Sequence, residues 1–262
     1  MEKVILISID GMRPDGFLSC GNPFIEEMMA KSSYTLEGTT TFPSVTLPCH
    51  MSLFHSVPSE RHGIITNTYT PMVRPLNGLF EQIALMGGIS AMYYGWEPLR
   101  DVSRPGSLKY AGFIQSYSEP SSDTSLTNLA LERIRESHPD FVFLYLVETD
   151  DKGGHDHGWM TTEYLNTLSI AIDNVKRVLE ECGEEYTIIV TADHGGHDRG
   201  HGSDCKEDMT IPLFFFGKNF TPGKQLADVS ILDVAPTIAD IMSVPKASEW
   251  EGKSLVALPG RR

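Results

Sequence analysis

Cysteine is scarce in this chain, with four residues in 262, and no two of them lie in a Cys-x-x-Cys spacing. So few thiols predict reduced cysteines and no disulfide framework, which favours a cytoplasmic location. Long apolar runs are also missing, since the run at residues 211–217 is far shorter than the roughly 20 residues that span a bilayer. The N-terminal apolar run stops at Asp10 without a small-residue cleavage site, so no signal peptide is expected.

Basic residues are also few, because 21 lysines and arginines face 35 acidic residues and the net charge is −14. Such a charge repels both nucleic-acid backbones and anionic lipid surfaces. We therefore expect neither a nucleic acid polymer nor a membrane as a partner. If the substrate is an anion, cations must attract it locally. Composition predicts nothing about the oligomeric state.

Continuous apolar and β-branched runs are present, and they indicate the fold. The runs at residues 4–9, 141–147 and 187–192 are typical of central strands that are buried on both faces. Helical patterns lie between them, at residues 125–137 and 161–183. This alternation predicts an α/β fold with a mostly parallel central sheet and helices on both faces.

The segment from about residue 68 to 122 differs, because prolines interrupt its short apolar pieces. We expect one catalytic domain over residues 1–262, in which this segment forms a small cap-like insertion or an elaborated crossover. Its aromatic residues either line a pocket for a leaving group or form a small core beneath the cap. These aromatic residues are Tyr93, Tyr94, Trp96, Tyr110 and Tyr117.

Acids and histidines follow each of the three predicted strands, where ligands bind in parallel sheets. Asp10 ends the first strand, and Asp151 and His155 stand four residues apart after the second. The loop at residues 191–204 follows the third strand. Carboxylate with imidazole suits zinc, with manganese or iron as alternatives. An isolated acid or histidine is more often a cap or a turn residue, but this clustering favours a metal site. The third loop contributes Asp193, His194, His197 and His201.

Hydroxyl side chains in the segment at residues 39–67 precede an apolar run that can begin a helix after Pro48. A hydroxyl at a helix N-terminus lies where backbone N–H groups favour a phosphoryl oxyanion. The alternative is an ordinary N-cap.

Taken in order, these motifs resemble the alkaline phosphatase superfamily, most closely its type I phosphodiesterase/nucleotide pyrophosphatase branch. The resemblance implies a metal-dependent hydrolase of phosphate esters that takes a small-molecule substrate and works through a phosphothreonine. It also implies two divalent cations, zinc with manganese as the alternative. The motifs that carry it are ISIDGMRPD, TLPCH, ERHGIITN, DKGGH, TADHG, RGHG, VSILDVAPTIADIM and EGKSL.

Residue roles follow from the same resemblance. Thr46 would be the nucleophile, and Asn67 would donate a hydrogen bond to a phosphoryl oxygen. His157 and His197 have no counterpart in the family pattern and are read as supporting or surface residues. One cation would be held by Asp10, Thr46, Asp193 and His194, and the other by Asp151, His155 and His201.

Two departures from the family pattern leave alternatives open. Residues 41–44 look more like the family's Thr-Phe-Pro-Asn string than residues 46–49 do, yet only Thr46 brings Asn67 into register. At residue 47 a leucine replaces the phenylalanine that stacks on a nucleobase, so nucleotide specificity is open. In addition, only six residues separate His194 from His201, as in the cofactor-independent phosphomutases.

Three other functions are therefore considered beside a phosphodiesterase. A phosphomonoesterase would use Lys152 as an additional cation against a doubly charged ester. A phosphomutase would need a larger cap than this chain provides. A non-catalytic binding protein would be expected to have lost at least one of the metal ligands.

Overall fold

The computed structural model describes residues 1–256, and its strands form one seven-stranded sheet. In space the strands follow the order β2-β7-β6-β1-β5-β3-β4. Their bounds are β1 (Lys3–Ile9), β2 (Ser33–Thr39), β3 (Ser90–Tyr94), β4 (Tyr110–Phe113), β5 (Phe141–Leu146), β6 (Tyr186–Thr191) and β7 (Thr210–Phe216).

The centre of the sheet is parallel, as the sequence predicts. Strand β1 pairs in parallel with β5 and β6, and β3 pairs in parallel with β5 and β4. Only β7 and β2 run antiparallel to their neighbours. Every residue of β5 and β6 is buried, and so are six of the seven residues of β1. Burial on both faces explains why these strands are continuous apolar runs.

The helices form two groups of contacting elements that pack on the sheet, and the central strands are buried along their length, so both faces of the sheet are covered. One group contains α1, α6 and α7, and the other contains α3, α5 and α9. Helices α6 and α7 confirm the two helices predicted from the sequence. The bounds are α1 (Pro14–Ser19), α2 (Ile25–Lys31), α3 (Thr46–His55), α4 (Ser59–His62), α5 (Leu79–Leu85), α6 (Ser122–Ser137), α7 (Thr162–Cys182), α8 (Lys206–Met209) and α9 (Val234–Met242).

Helix α3 begins at Thr46, two residues before Pro48, whereas the sequence predicts a start after this proline. The proline fits within the first turn because the first N–H groups of a helix have no partner within it. All ten residues of α3 are buried. Thr46 thus lies at the N-terminus of a helix that is fixed in the core.

The segment from residue 68 to 122 contributes α5, β3 and β4, so much of it extends the sheet. Two 3₁₀ turns, Glu97–Val102 and Ser116–Ser118, lie in the same segment, and the small cap-like insertion stays a prediction.

Within residues 1–256, no helix combines the length and apolar composition needed to cross a membrane. All four cysteines are free thiols. This agrees with the prediction of reduced cysteines, and the cytoplasmic location stays a prediction.

Candidate active site

Three neighbouring parallel strands, β6, β1 and β5, end at the same edge of the sheet. Asp10 follows β1, and Asp193 and His194 follow β6. After β5 the chain enters a π-helical turn, Thr149–His155. The acids and histidines that the sequence places after separate strands therefore meet at one edge.

The first group of possible ligands consists of Asp10, Asp193 and His194, whose ligand atoms lie within 4.8 Å of one another. Nε2 of His194 lies 3.4 Å from Asp10 Oδ1 and 3.4 Å from Asp193 Oδ2. Thr46 Oγ1 lies 3.2 Å from the same Nε2 atom. The structure thus brings together the four residues that the resemblance assigns to one cation.

The two carboxylates of this group are each held by one oxygen. Asp10 Oδ2 accepts a hydrogen bond from the Tyr145 hydroxyl. Asp193 Oδ1 accepts from the backbone N–H of Gly11 at 3.3 Å and of His194 at 3.0 Å. Within residues 1–256, Asp10 Oδ1 and Asp193 Oδ2 accept no hydrogen bond. Because buried polar atoms are nearly always paired, these two oxygens fit a cation that they would share with His194.

Gly11 is required at the end of β1 for the same arrangement. Its φ angle is +65°, which favours glycine, and a Cβ atom there would lie 3.0 Å from Asp150 Oδ1 and 3.1 Å from the ring of Trp159. The Asp-Gly pair after β1 therefore lets the first group lie close to Asp150.

The second group consists of Asp150, His155 and His201. Asp150 Oδ2 lies 3.2 Å from His155 Nε2, and Asp150 Oδ1 lies 3.8 Å from His201 Nε2. Asp150 Oδ1 is also a buried oxygen without a hydrogen-bond donor in the described part of the chain. The rings of His194 and His201 stack with centroids 3.8 Å apart, so the two groups lie side by side.

The sequence assigns Asp151 to the second cation, whereas the structure groups Asp150 with His155 and His201. The sequence pairs Asp151 with His155 because they stand four residues apart in a glycine-rich stretch after a strand. The turn is π-helical, and in a π-helix residues five apart share a face, so Asp150 is the acid that faces His155. Asp151 lines the neighbouring cavity but does not belong to the group.

Backbone carbonyls orient all three histidines. In each ring Nδ1–H donates to a carbonyl, so Nε2 faces the carboxylates and would offer its lone pair to a cation in the neutral ring. Histidine ligands in metal proteins are oriented in this way. The bonds run from His194 to Gly195 at 2.7 Å, from His155 to Arg199 at 3.0 Å and from His201 to Ser44 at 2.9 Å.

The electrostatics of the two groups call for positive charge. Burial, together with the charge of Asp150, raises the pKa of Asp193 to about 8. Burial and the charges of Asp150 and Asp193 raise the pKa of Asp10 well above its usual range. The hydrogen bond to Asp150 raises the pKa of His155 to about 9, whereas burial lowers the pKa of His194 to about 3. Asp10 and Asp193 therefore favour the protonated form without a cation, whereas the hydrogen bond to His155 lowers the pKa of Asp150. A divalent cation would replace the protons of Asp10 and Asp193.

A cavity of about 100 Å³ opens beside both groups. Asn67 lies on its wall, and Asn67 Oδ1 accepts a hydrogen bond from the backbone N–H of Leu47 at 3.0 Å. This bond fixes the asparagine beside the first turn of α3, next to Thr46. Within the described residues, neither lysine nor arginine lines this cavity. The lining residues are Asp10, Thr46, Asn67, Trp96, Tyr145, Val147, Asp150, Asp151, His155 and His201.

Lys152, considered from the sequence as a cation for a phosphomonoester, is engaged elsewhere. Its Nζ donates to Glu148 and to the backbone carbonyls of Glu119 and Pro120, at 3.0 and 3.1 Å from the two carbonyl oxygens. The structure therefore gives no support to a role for Lys152 in the cavity.

The aromatic residues of the crossover divide between the two roles considered. Trp96 lines the cavity, whereas Tyr93 is buried in the core and Tyr94 and Tyr110 pack against the core. The Tyr117 hydroxyl donates to Asp156 at 3.2 Å. Of the extra histidines, His157 is exposed and His197 contacts Asp208.

Two residues of the site escaped the sequence analysis. Asp150 follows from the doublet of acids after β5 only when the π-helical turn is known. Tyr145 lies inside an apolar strand, where a tyrosine is ordinarily part of the core.

The fold and site define an alkaline phosphatase-like α/β protein. The structure superimposes on that of the murine ectonucleotide pyrophosphatase/phosphodiesterase 5, an inactive threonine-to-alanine variant in complex with AMP, with a TM-score of 0.78. The match has 16% identity and covers 94% of this chain and 96% of that chain.

Residues 4–202 match the sequence model of the type I phosphodiesterase/nucleotide pyrophosphatase family, and the chain belongs to this family. It is 27% identical over 218 residues to the mouse ectonucleotide pyrophosphatase/phosphodiesterase family member 1, covering 73% of this chain and 24% of that protein. It is also 30% identical over 125 residues to a phosphopentomutase of Alkaliphilus oremlandii, covering 47% of this chain and 31% of the mutase. The chain thus spans less than a third of the length of either relative.

Proposed function

We propose that this protein hydrolyses small phosphodiesters by a two-metal mechanism in which Thr46 is the nucleophile. The observation that carries the proposal is the position of Thr46 Oγ1, which lies 3.2 Å from His194 Nε2. Thr46 also lines the cavity that both groups of acids and histidines share. The family to which the chain belongs and the names of its relatives support phosphate esters as the substrate class.

The residues present fit two divalent cations, for which zinc is favoured and manganese is the alternative. The ligands would be three buried carboxylate oxygens that have no donor within residues 1–256 and three histidines with oriented Nε2 atoms. Bound cations would lower the pKa of the threonine hydroxyl and offset the charge of the phosphoryl group. Asp10, Thr46, Asp193 and His194 would hold one cation, and Asp150, His155 and His201 the other.

Thr46 Oγ1 attacks phosphorus, so that a new O–P bond forms while the bond to the leaving alcohol breaks. The leaving oxygen takes the electron pair of the broken bond and, in net balance, the proton that the Thr46 hydroxyl gives up, so it departs as an alcohol and the phosphoryl group remains on Thr46 as a phosphothreonine. Water then attacks the same phosphorus; its oxygen stays on the released phosphate monoester, and one of its protons restores the Thr46 hydroxyl. Asn67 is positioned to donate its side-chain N–H to a phosphoryl oxygen during both steps.

The charge of the cavity favours a diester over a monoester. A diester carries one negative charge and a monoester up to two, and neither lysine nor arginine contributes to the cavity wall within residues 1–256. Lys152 is held by Glu148 outside the wall.

The leaving group would lie against Trp96. Leu47 stands where the family carries a stacking phenylalanine, but it is fully buried, so it gives no flat surface to a nucleobase. Trp96 is only partly buried and lines the cavity, where its ring can stack on a planar leaving group. The AMP bound to the murine structure makes nucleotides a natural class to examine first.

A phosphomutase is the second candidate, favoured by the match to a phosphopentomutase and by the short interval between His194 and His201. Mutases must shield the phosphoenzyme from water. Here much of the segment from residue 68 to 122 extends the sheet, which leaves little of that segment for such a shield.

The test compares bis-p-nitrophenyl phosphate with p-nitrophenyl phosphate, each assayed with zinc and with manganese. We expect the diester to be hydrolysed with the higher kcat/KM. A higher kcat/KM for the monoester would indicate a phosphomonoesterase, and transfer of phosphate to a sugar in preference to water would indicate a mutase. Absence of metal from the purified protein, with no thermal stabilisation by zinc or manganese, would contradict an enzyme of this kind.

A further inference from the structure

A third group of ligand-type side chains lies outside the candidate active site, on the loop that follows β6. His197, Cys205 and Asp208 bring their ligand atoms within 4.8 Å of one another. Nδ1 of His197 lies 2.7 Å from Asp208 Oδ1 and 3.7 Å from Cys205 Sγ. The proposed reaction uses none of these three side chains.

The group is held in place by the loop itself. Asp208 is fully buried, and its Oδ2 accepts hydrogen bonds from the backbone N–H and the hydroxyl of Ser203, at 2.9 and 2.8 Å. The other carboxylate oxygen of Asp208, Oδ1, therefore remains available to contact His197 Nδ1. The backbone of His197 is fixed by two reciprocal 2.9 Å hydrogen bonds with Gly200. The carboxylate of Asp208 and the backbone of His197 are therefore positioned by contacts that a cation would not disturb.

We propose that His197, Cys205 and Asp208 form a third metal site, for a borderline-soft divalent cation of the zinc class. A thiolate, an imidazole and a carboxylate with one water complete the tetrahedron that zinc prefers. Softness distinguishes this site from the two candidate catalytic groups, which contain no sulfur.

The distances suit a tetrahedral cation after a small adjustment. Zn–S and Zn–N bonds of about 2.3 and 2.1 Å imply an N–S separation of about 3.6 Å in a tetrahedron, which is near the observed 3.7 Å. The corresponding N–O separation is about 3.3 Å, so the 2.7 Å contact between His197 and Asp208 must open. The cation replaces the proton that these two side chains share.

Proton balance is straightforward at this position. Cys205 loses its thiol proton to solvent, and in the neutral imidazole of His197 the proton moves from Nδ1 to Nε2. The His197 side chain is 45% exposed, so solvent can reach the ring.

A cation there would stabilise a turn that also orients the candidate active site. The turn between His197 and Gly200 carries the Arg199 carbonyl that accepts from His155 Nδ1. It also carries the Asp198 carbonyl, which accepts from the backbone N–H of Trp159 at 2.8 Å. His201 follows directly. The third site would thus fix the loop from which two of the histidines are positioned.

The test is cobalt substitution of the full chain, read by absorption spectroscopy and elemental analysis. Thiolate ligation gives a near-ultraviolet sulfur-to-cobalt charge-transfer absorption, which sulfur-free sites cannot give. We expect this absorption in the wild-type protein. Cys205→Ser should remove the absorption and one equivalent of cobalt, and His197→Ala should do the same. The matched control is Cys49→Ser, which should keep both.

Three outcomes would overturn the third site. These are absence of the absorption from wild type, its survival in Cys205→Ser, and its loss in Cys49→Ser alone. The remaining cobalt equivalents report separately on the proposed catalytic groups. If they were missing while the absorption persisted, the active-site proposal would fail and the third site would stand.

Discussion

The choice between two adjacent carboxylates, Asp150 and Asp151, can be decided by a matched pair of variants. Asp150 is the acid that lies between His155 and His201, whereas Asp151 faces only the cavity. Asp150→Asn and Asp151→Asn make the same isosteric change at neighbouring positions. We expect Asp150→Asn to lose a bound cation and Asp151→Asn to keep it.

The expected fall in kcat/KM follows from the transition-state stabilisation that a cation contributes. Asparagine keeps an amide oxygen at Asp150 but loses the negative charge, and it leaves His155 and His201 as neutral ligands. A catalytic cation supplies several kcal/mol of transition-state stabilisation. At about 1.36 kcal/mol for each factor of ten, a loss of about 3–4 kcal/mol lowers kcat/KM by about 10²- to 10³-fold. Asp151→Asn should stay within about tenfold of wild type, or about 1.4 kcal/mol.

The assay measures kcat/KM on bis-p-nitrophenyl phosphate together with the metal content of each purified variant. Asp150→Asn should lose one equivalent of metal and most activity, and Asp151→Asn should keep both. If Asp151→Asn lost the cation while Asp150→Asn retained it, the pairing of Asp151 with His155 that the sequence indicates would be right, and Asp150 would not be a ligand.

Three further predictions follow from the same site and its surroundings. Asn67→Asp keeps an oxygen that can accept from the backbone of the helix but loses the side-chain N–H donor. The kcat on the diester should therefore fall by about 10²-fold with metal content unchanged. An unaltered kcat would show that Asn67 takes no part in the reaction. Tyr145→Phe removes the hydroxyl that donates to Asp10, so chelator competition should show metal affinity weakened by about 10- to 100-fold, and equal affinity would show that this contact is dispensable. Burial lowers the pKa of His50 and of His62 to about 4, below their ordinary value of 6.5. Between these pH values the unfolded chain binds more protons than the folded chain. The free energy of unfolding should therefore fall as the pH drops from about 6.5 to 4. Urea unfolding at several pH values should show this loss, and His62→Gln should reduce it; a variant with the wild-type slope would exclude His62 as a source.

The sequence predicts the sheet well because its signal is strong and local. Residues of β1, β5 and β6 are buried on both faces, and a continuous apolar run of six or seven residues is typical of such strands. The common edge of the site follows directly, since parallel strands deliver their C-terminal loops to one side. This argument brings Asp10, Asp193 and His194 to one edge of the sheet, and the family resemblance is what assigns them to a single cation.

Which acid faces His155 in the turn after β5 depends on contacts with other parts of the chain. For this reason it could not be predicted from the sequence. A Cβ atom on Gly154 would lie 2.5 Å from the ring of Trp159, and one on Gly153 would lie 2.5 Å from Thr167 Oγ1. The glycines let the turn pack closely against the chain that follows it, and this packing accompanies the π-helical form that presents Asp150. Such contacts depend on the folded neighbourhood and leave no periodic signal in the sequence.

The most direct test of Thr46 as the nucleophile compares two variants, Thr46→Ala and Thr41→Ala. The measurement is turnover of bis-p-nitrophenyl phosphate. Thr46 lines the cavity, whereas the Thr41 hydroxyl lies 3.5 Å from Ser59 Oγ and is absent from the wall that the structure describes. Thr46→Ala should abolish turnover while keeping most of the bound metal, and Thr41→Ala should keep most of the activity. An active Thr46→Ala together with an inactive Thr41→Ala would contradict the assignment of the nucleophile.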